Sequence, residues 1–441
     1  MLANVMKEKK LRKKVYFTIF VLAVASALTY IPVFGINKSF LASLFAETDV
    51  LNFMDFISGG SLSNMSVAGF GITSYITASI IIQLLAVIFP KIEGIRKDGE
   101  RGHKIMEKAT FAGGMAFTVV SGTFLAVGFG KNGLFVEYSP LYVVCAVLSW
   151  IIGSFIIMFL GQAVEEHGIG NGITMILGFN ILSRIPHNIT DYFRQNVSGK
   201  QTVTAVSYAA GLVIFLYLFY VVAVYLNKGV LNIPLKQTRK QASASNDDGT
   251  IPVGANISNV LPVIYASSII SIPSLVTALT GAGTDGVWKA VTSAFSSGNW
   301  YNPSEWYHIA GFVVYILMVA GFGLFSSELS FSPDEIADSM KKNGNVIPGV
   351  NPGKPTVAFL NRRRKVMSMV NVAFLILIAV IPDFICSVAG IGSFTFLGTS
   401  LVIIISMLMD TATRIRAMSI HNDKRFVLFN CEEYKGSGDL L

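Results

Sequence analysis

Charged residues punctuate this chain at intervals. Stretches free of Asp, Glu, Lys and Arg run over 15–37, 56–90, 109–130, 138–164, 167–183, 201–227, 249–284, 306–327, 366–382 and 384–409. A bilayer core needs a helix of about 20 apolar residues, so each stretch predicts one membrane-spanning helix and the set predicts ten. The stretch 290–304 is also uncharged, but Ser, Asn and Gly dominate it, which excludes a span. The stretches 56–90 and 249–284 are longer than one helix, so each predicts a helix plus something else.

Composition agrees with this pattern. Of the 441 residues, 52% are hydrophobic and 14% charged, against roughly 25% charged in an average soluble domain. Mean hydropathy is +0.59. These values fit a polytopic membrane protein and exclude a soluble multidomain globule, a disordered chain, a coiled coil and a disulfide scaffold. Cys145, Cys386 and Cys431 have neither a pairing pattern nor metal-ligand spacing. The net charge of +8 reads first as loop topology. With the N-terminus in the cytosol, ten spans return the C-terminus there, and 28 of the 34 Lys and Arg fall on the cytosolic side. A bias of that size supports both the span count and the orientation. The first stretch follows six basic residues, as a signal peptide would. Its apolar run continues to about Pro32 without a small-x-small cleavage site, which predicts a retained span.

No ionisable residue lies mid-span; Asp383 and Asp410 sit at segment ends. Proton relays and ion sites need such residues, so an ion-coupled transporter of two inverted five-span repeats lacks its coupling site. His103, His167, His187, His308 and His421 fall in loops or at span edges and read as solvated. Gly353-Lys354 is followed by Pro355 where a P-loop needs Ser or Thr. No Asp pair, Ser–His pair or HExxH lies in the spans, so an intramembrane enzyme lacks candidates too. No catalytic residue, cofactor or metal site is expected, and any uphill movement would draw its energy from another subunit.

Some segments carry more information. In 58–85, SGGSLSNMSVAGFGITSYITASIIIQLL, the first part is too short, polar and Gly-broken to span. Gly59-Gly60 ends any helix begun around Leu51–Ile57. Residues about 50–65 therefore fit a half-helix folded back into protein, where non-helical backbone survives at membrane depth, and fit an external loop equally well. Gln83 is a polar side chain in an apolar stretch and needs a partner on another helix or a bound chain. HGIGNGITMIL over 167–177 reads as a tight hinge. Pro262, near Asn256 and Asn259 at the start of the seventh span, breaks a backbone hydrogen bond and permits a kink. Two long loops, 227–255 and 329–365, are basic, and long ordered loops are usually functional.

Taken in order, SGGSLS…GITSYITASIIIQLL, GIGNGIT, ANISNVLPVIYASSI and SPDEIADSMKKNGNVIPG…PGKPT resemble the SecY family, the channel subunit of the bacterial protein-export translocon. The likeness runs from about residue 15 to 415. It implies an all-α polytopic membrane protein of ten helices in two pseudo-symmetric inverted halves, 1–190 and 201–412, with a cytosolic tail at 413–441. It also implies a passive channel of the bacterial plasma membrane, with both termini cytosolic, that exports unfolded secretory polypeptides and releases transmembrane segments sideways into lipid.

Carried over by motif, the apolar pore ring would be Ile72, Ile76, Ile173, Leu177, Ile264 and Ile403. Such a ring excludes ions by dewetting and grips no particular side chain. Residues about 50–65, including Phe53, Phe56, Ile57, Ser58, Gly59 and Gly60, would be the plug. Spans 2 and 7, with Gln83, Asn256 and Pro262, would form the lateral gate. The two basic loops would dock the SecA motor or the ribosome, through Lys236, Arg239, Lys240, Asn351, Arg362, Arg363 and Arg364. The implied partners are SecE and SecG, SecA and/or the ribosome, secretory and membrane-protein substrates and the lipid bilayer, with no sequence-specific nucleic acid.

The chain also departs from the family pattern. Asn351 precedes Pro352-Gly353 where relatives often carry Arg, Asp247-Asp248 marks a loop tip that is often more basic, and Thr110-Phe111-Ala112 stands where Thr-Arg-Tyr is frequent. These changes imply an altered docking surface and leave open a divergent paralogue with its own motor or substrates.

Overall fold

The structure, a computed structural model, describes residues 9–37, 58–96, 98–196, 229–237, 250–254, 261–270, 286–296, 305–342, 344–388 and 397–422, with isolated positions such as Phe40, Asp55 and Trp300 between them. The helices are α1 (Lys9–Leu28), α2 (Gly71–Ile88), α3 (Pro90–Arg96), α4 (Gly99–Phe129), α5 (Pro140–His167), α6 (Gly172–Asn196), α7 (Leu261–Ile270), α8 (Val287–Ala294), α9 (Trp306–Ser330), α10 (Pro333–Lys342), α11 (Lys354–Val388) and α12 (Leu397–Asn422). Four short strands join them: β1 (Val230–Pro234), β2 (Lys236–Gln237), β3 (Thr250–Gly254) and β4 (Asn345–Val346).

Helix α5 shows why these sequences form spans. Pro140 enters at its first turn, where the missing N–H is not needed. One face buries Ala146, Trp150, Gly153, Ser154, Ile157, Met158, Gly161 and Val164. The other exposes Leu141, Val144, Leu148, Ile152, Phe155 and Phe159 at steps of three and four. The buried face mixes small and hydroxylated residues with Trp150, Ile157, Met158 and Val164, and the outward residues are large and apolar, as expected when lipid is the solvent. Helix α9 repeats it, burying Gly311, Gly323, Ser326 and Ser327 while exposing Trp306, Ile309, Val313 and Leu317.

Among the described residues, helices Lys104–Phe129, Pro140–His167, Trp306–Lys342 and Lys354–Ile381 are long and apolar enough to cross a membrane, and the bent pair Gly71–Ala86 and Pro90–Arg96 makes a fifth if counted as one span. Gly172–Pro186 and Leu261–Ile270 are shorter apolar helices. Each predicted stretch thus carries a helix except 201–227, which lies almost wholly outside the described residues.

Two boundaries differ from expectation. The basic segment 91–108 is helical, forming α3 and the first turns of α4. Helix α11 continues through Asp383 and runs unbroken over 35 residues. At 1.5 Å per residue that is about 52 Å, more than a hydrocarbon core of about 30 Å, so part of α11 extends beyond the apolar layer.

The chain forms two compact units, Met1–Pro186 with Met407–Leu441, and His187–Ser406. In the first, α2 packs on α4 and α5, α4 on α5, and α1 on α5. In the second, α9 packs on α7, α8 and α11.

The two long basic loops, expected as separate features, form one small folded body in the second unit. Strand β1 pairs antiparallel with β3 in the register Val230↔Gly254 to Pro234↔Thr250, and β2 pairs with β4 as Lys236↔Val346 and Gln237↔Asn345. Ile233, Leu235 and Val253 from the first loop pack with Ala337, Met340, Ile347 and Leu360 from the second. Leu360→Ala removes a fully buried side chain and should destabilise this body by about 2–5 kcal/mol. Hydrogen exchange should then quicken at both 230–254 and 345–347; acceleration confined to the second loop would mean that the loops are not one cooperative body.

Candidate functional site

The described part of the segment that left two readings open, Asp55 and 58–66, is packed against protein. Ser58, Ser61, Leu62, Met65 and Ser66 are buried. Serine side chains bond the local backbone. Ser58 Oγ donates to the Asp55 carbonyl at 2.9 Å and accepts from Leu62 N at 3.3 Å, and Ser61 Oγ donates to the Ser58 carbonyl at 3.0 Å. Gly60 N also donates to the Asp55 carbonyl, at 2.9 Å. Gly59 and Gly60 have φ of +72° and +87°, the left-handed region that ends a helix. The far end of the turn is tied to the residues after α1, where Val33 N donates to the Met65 carbonyl and Val67 N to the Ile31 carbonyl, both at 2.9 Å. Phe53, Phe56 and Ile57 lie outside the described residues.

Helix α6 clasps this turn at two points. Asn180 Nδ2 donates to the Ser58 carbonyl at 3.3 Å. Arg184 forms an ion pair with the Asp55 carboxylate and also donates to its carbonyl at 3.3 Å. The second carboxylate oxygen of Asp55 accepts from Ser63 N at 2.6 Å. Sequence reasoning passed over Asp55, Asn180 and Arg184. The available signal was that Asn180 and Arg184 stand four residues apart, on one helix face.

The GIGNGIT segment forms the turn between α5 and α6. Thr18 Oγ1 on α1 accepts from Ile169 N at 3.1 Å, and Asn171 Oδ1 accepts from Thr174 N at 3.1 Å as an N-cap does.

The six expected ring positions are all buried: Ile72, Ile76, Ile173 and Leu177 in the first unit, Ile264 and Ile403 in the second. Ile72 and Ile76 share one face of α2, and Ile173 and Leu177 one face of α6.

Several other residues stand differently from expectation. Gln83 has one partner on its own helix, its Nε2 donating to Ser79 Oγ at 2.9 Å. Pro262 is a buried residue of α7. His308 is buried and bonded to Ser293 Oγ at 2.9 Å, not solvated. Lys236 lies in β2 and Asn351 on an exposed turn, whereas Arg239, Lys240 and Asn256 fall outside the described residues. Arg362 and Arg363 are exposed, but Arg364 is buried and bonds Glu328 at 3.2 Å and Asn361 at 2.8 Å. A buried, partnered guanidinium is not available for docking. Among the described residues no cluster of His, Cys, Asp or Glu could hold a metal.

Apolar-faced helices and a buried re-entrant turn define a multi-pass membrane protein of the protein-conducting-channel fold. The solved structure described as a protein conducting channel matches with a TM-score of 0.67 over 95% of both chains at 19% identity, and Sec61 in the canine ribosome-channel complex from the endoplasmic reticulum with 0.66 over 95% of both at 18%. The SecY family model matches residues 66–412. The protein translocase subunit SecY of Staphylococcus carnosus is 30% identical over 443 residues, covering 99% of this chain and 98% of that one. This chain belongs to the SecY family.

The placement of the three arginines is testable. Arg364→Gln should lower stability by about 1–3 kcal/mol, because it removes buried hydrogen bonds. Arg362→Gln and Arg363→Gln should change it by less than about 0.5 kcal/mol. Thermal unfolding in detergent checks the ranking; equal effects at all three would contradict the burial of Arg364.

Proposed function

We infer that this chain is the pore subunit of a protein translocase, a passive membrane channel through which unfolded polypeptides cross. The observation that carries this reading is the full-length likeness to protein translocase subunits of the SecY family. A chain that must pass any sequence needs a constriction without chemical preference. Ile72, Ile76, Ile173, Leu177, Ile264 and Ile403 are assigned to that constriction: they are apolar, branched and buried. The turn around Ser58–Gly60 is assigned to the plug, and spans 2 and 7 to the lateral gate through which apolar segments leave for lipid. The N- and C-termini are placed in the cytosol on the positive-inside bias.

The body built from β1–β4, α10 and the start of α11 is assigned to docking. Its exposed cations include Arg362 and Arg363, and Arg364 serves to hold it. The docking partner is a ribosome or a SecA-type motor, with SecE and SecG as accompanying subunits; a relative of this fold has been solved on the ribosome.

Reconstitution of the chain with SecE, SecG and a SecA-type motor tests the reading. Precursors bearing a signal sequence should become protease-protected in an ATP-dependent way, and the same precursors without the signal should not. Absence of export, with solute uptake by the chain alone driven by an ion gradient, would overturn the channel assignment.

A further inference from the structure

We propose that Asn180 and Arg184 are positioning residues that latch the plug shut, so that the Asp55–Arg184 ion pair sets how often the idle channel opens. The proposal rests on the channel reading above and names what regulates its closed state.

The geometry is that of a clasp with two points on one helix face. Asn180 takes the Ser58 carbonyl, and Arg184, four residues on, takes Asp55 through both its carboxylate and its carbonyl. Asp55 is the structural centre of the turn. Its carbonyl also accepts from Ser58 Oγ and Gly60 N, and its carboxylate from Ser63 N. Holding Asp55 therefore holds the whole turn. The two glycines complete the fit. A Cβ on Gly60 would lie 3.0 Å from Arg184 Nη1, and one on Gly59 would run into Asn180. The turn thus approaches α6 as bare backbone at the two places where the clasp closes. The division between the two units falls at Pro186–His187, just beyond Arg184.

An ion pair suits a latch that must open. Burying two charges costs about as much as their attraction returns, so the pair adds little net stability but defines one geometry sharply. When both members reach water together, neither is left stranded. Loss of one member is different, because it strands the other. The Asp55 side chain is 3% exposed and that of Arg184 22%, so loss of Arg184 leaves the worse-placed orphan and should open the latch more than loss of Asp55.

The test uses the complete complex in proteoliposomes and reads anion leak through idle channels. Arg184→Gln should raise the leak about tenfold, which corresponds to about 1.4 kcal/mol in the closed–open balance. Asp55→Asn should raise it less. Arg184→Lys, which keeps the positive charge and an N–H donor at the end of a long side chain, should restore most of the seal, a rescue that a merely structural role does not predict. Gly59→Ala, which presses on Asn180 without touching a charge, should raise the leak as well and decides the matter if the Gln variant does not accumulate. Wild-type leak in both Arg184→Gln and Gly59→Ala, or in Gly59→Ala alone when the Gln variant is lost, overturns the latch. If the complex exports precursors normally in that case, the channel reading stands without it; failure of export by the unsubstituted complex would remove the channel reading itself.

Discussion

Lipid offers no partner to a backbone N–H or carbonyl, so every such group inside the membrane must be satisfied by the protein itself. The rest of this structure follows from that constraint. Helices meet it internally, which is why each charge-free stretch with described residues carries one. Buried helix faces can then admit small and hydroxylated residues, while outward faces stay large and apolar, as on α5 and α9. The non-helical turn before α2 meets the constraint by other means. Ser58, Ser61 and Ser63 bond the local backbone, Asp55 gathers several donors, and α6 supplies Asn180 and Arg184 from outside the turn. A protein-conducting channel needs such a segment, one that leaves the helical framework and still remains sealed within protein.

The same residues suit both halves of the task. An apolar constriction binds no sequence in particular and repels ions, and four of its assigned members lie as i, i+4 pairs on α2 and α6. Apolar side chains alone would not fix the position of a movable turn beside them. Polar contacts with definite geometry do, and in this chain they are concentrated between Asp55, Ser58, Asn180 and Arg184. The outer machinery follows a comparable division. Leu360 and its neighbours hold the two basic loops together as one body, Arg364 braces α11 through Glu328 and Asn361, and Arg362 and Arg363 stay at the surface.

What could be read from the chain in advance was local. Charge spacing located the spans, and Gly59-Gly60 located the break before α2. Short motifs were enough to suggest the family. Pairings between distant residues were not legible. Nothing in Lys236-Gln237 points to Asn345-Val346, more than a hundred residues away, because two-residue strands carry no periodicity. Nothing local to Arg184 points to Asp55, 129 residues earlier in the chain. Arg364 looked like its neighbours, since three consecutive arginines on a helix point in different directions and only packing decides which is buried. Gln83 needed a partner, and one lay a single turn away at Ser79.

The central claim is that a polypeptide passes the apolar constriction to which Ile76 is assigned. Site-specific photo-crosslinking tests it most directly, with the probe at Ile76 and a secretory precursor stalled midway through membranes containing this chain. The account predicts a crosslink between probe and precursor that forms only when the precursor carries its signal sequence. Normal export without a crosslink at Ile76, and none at Ile264 or Ile403, would place the path of the polypeptide elsewhere and contradict it.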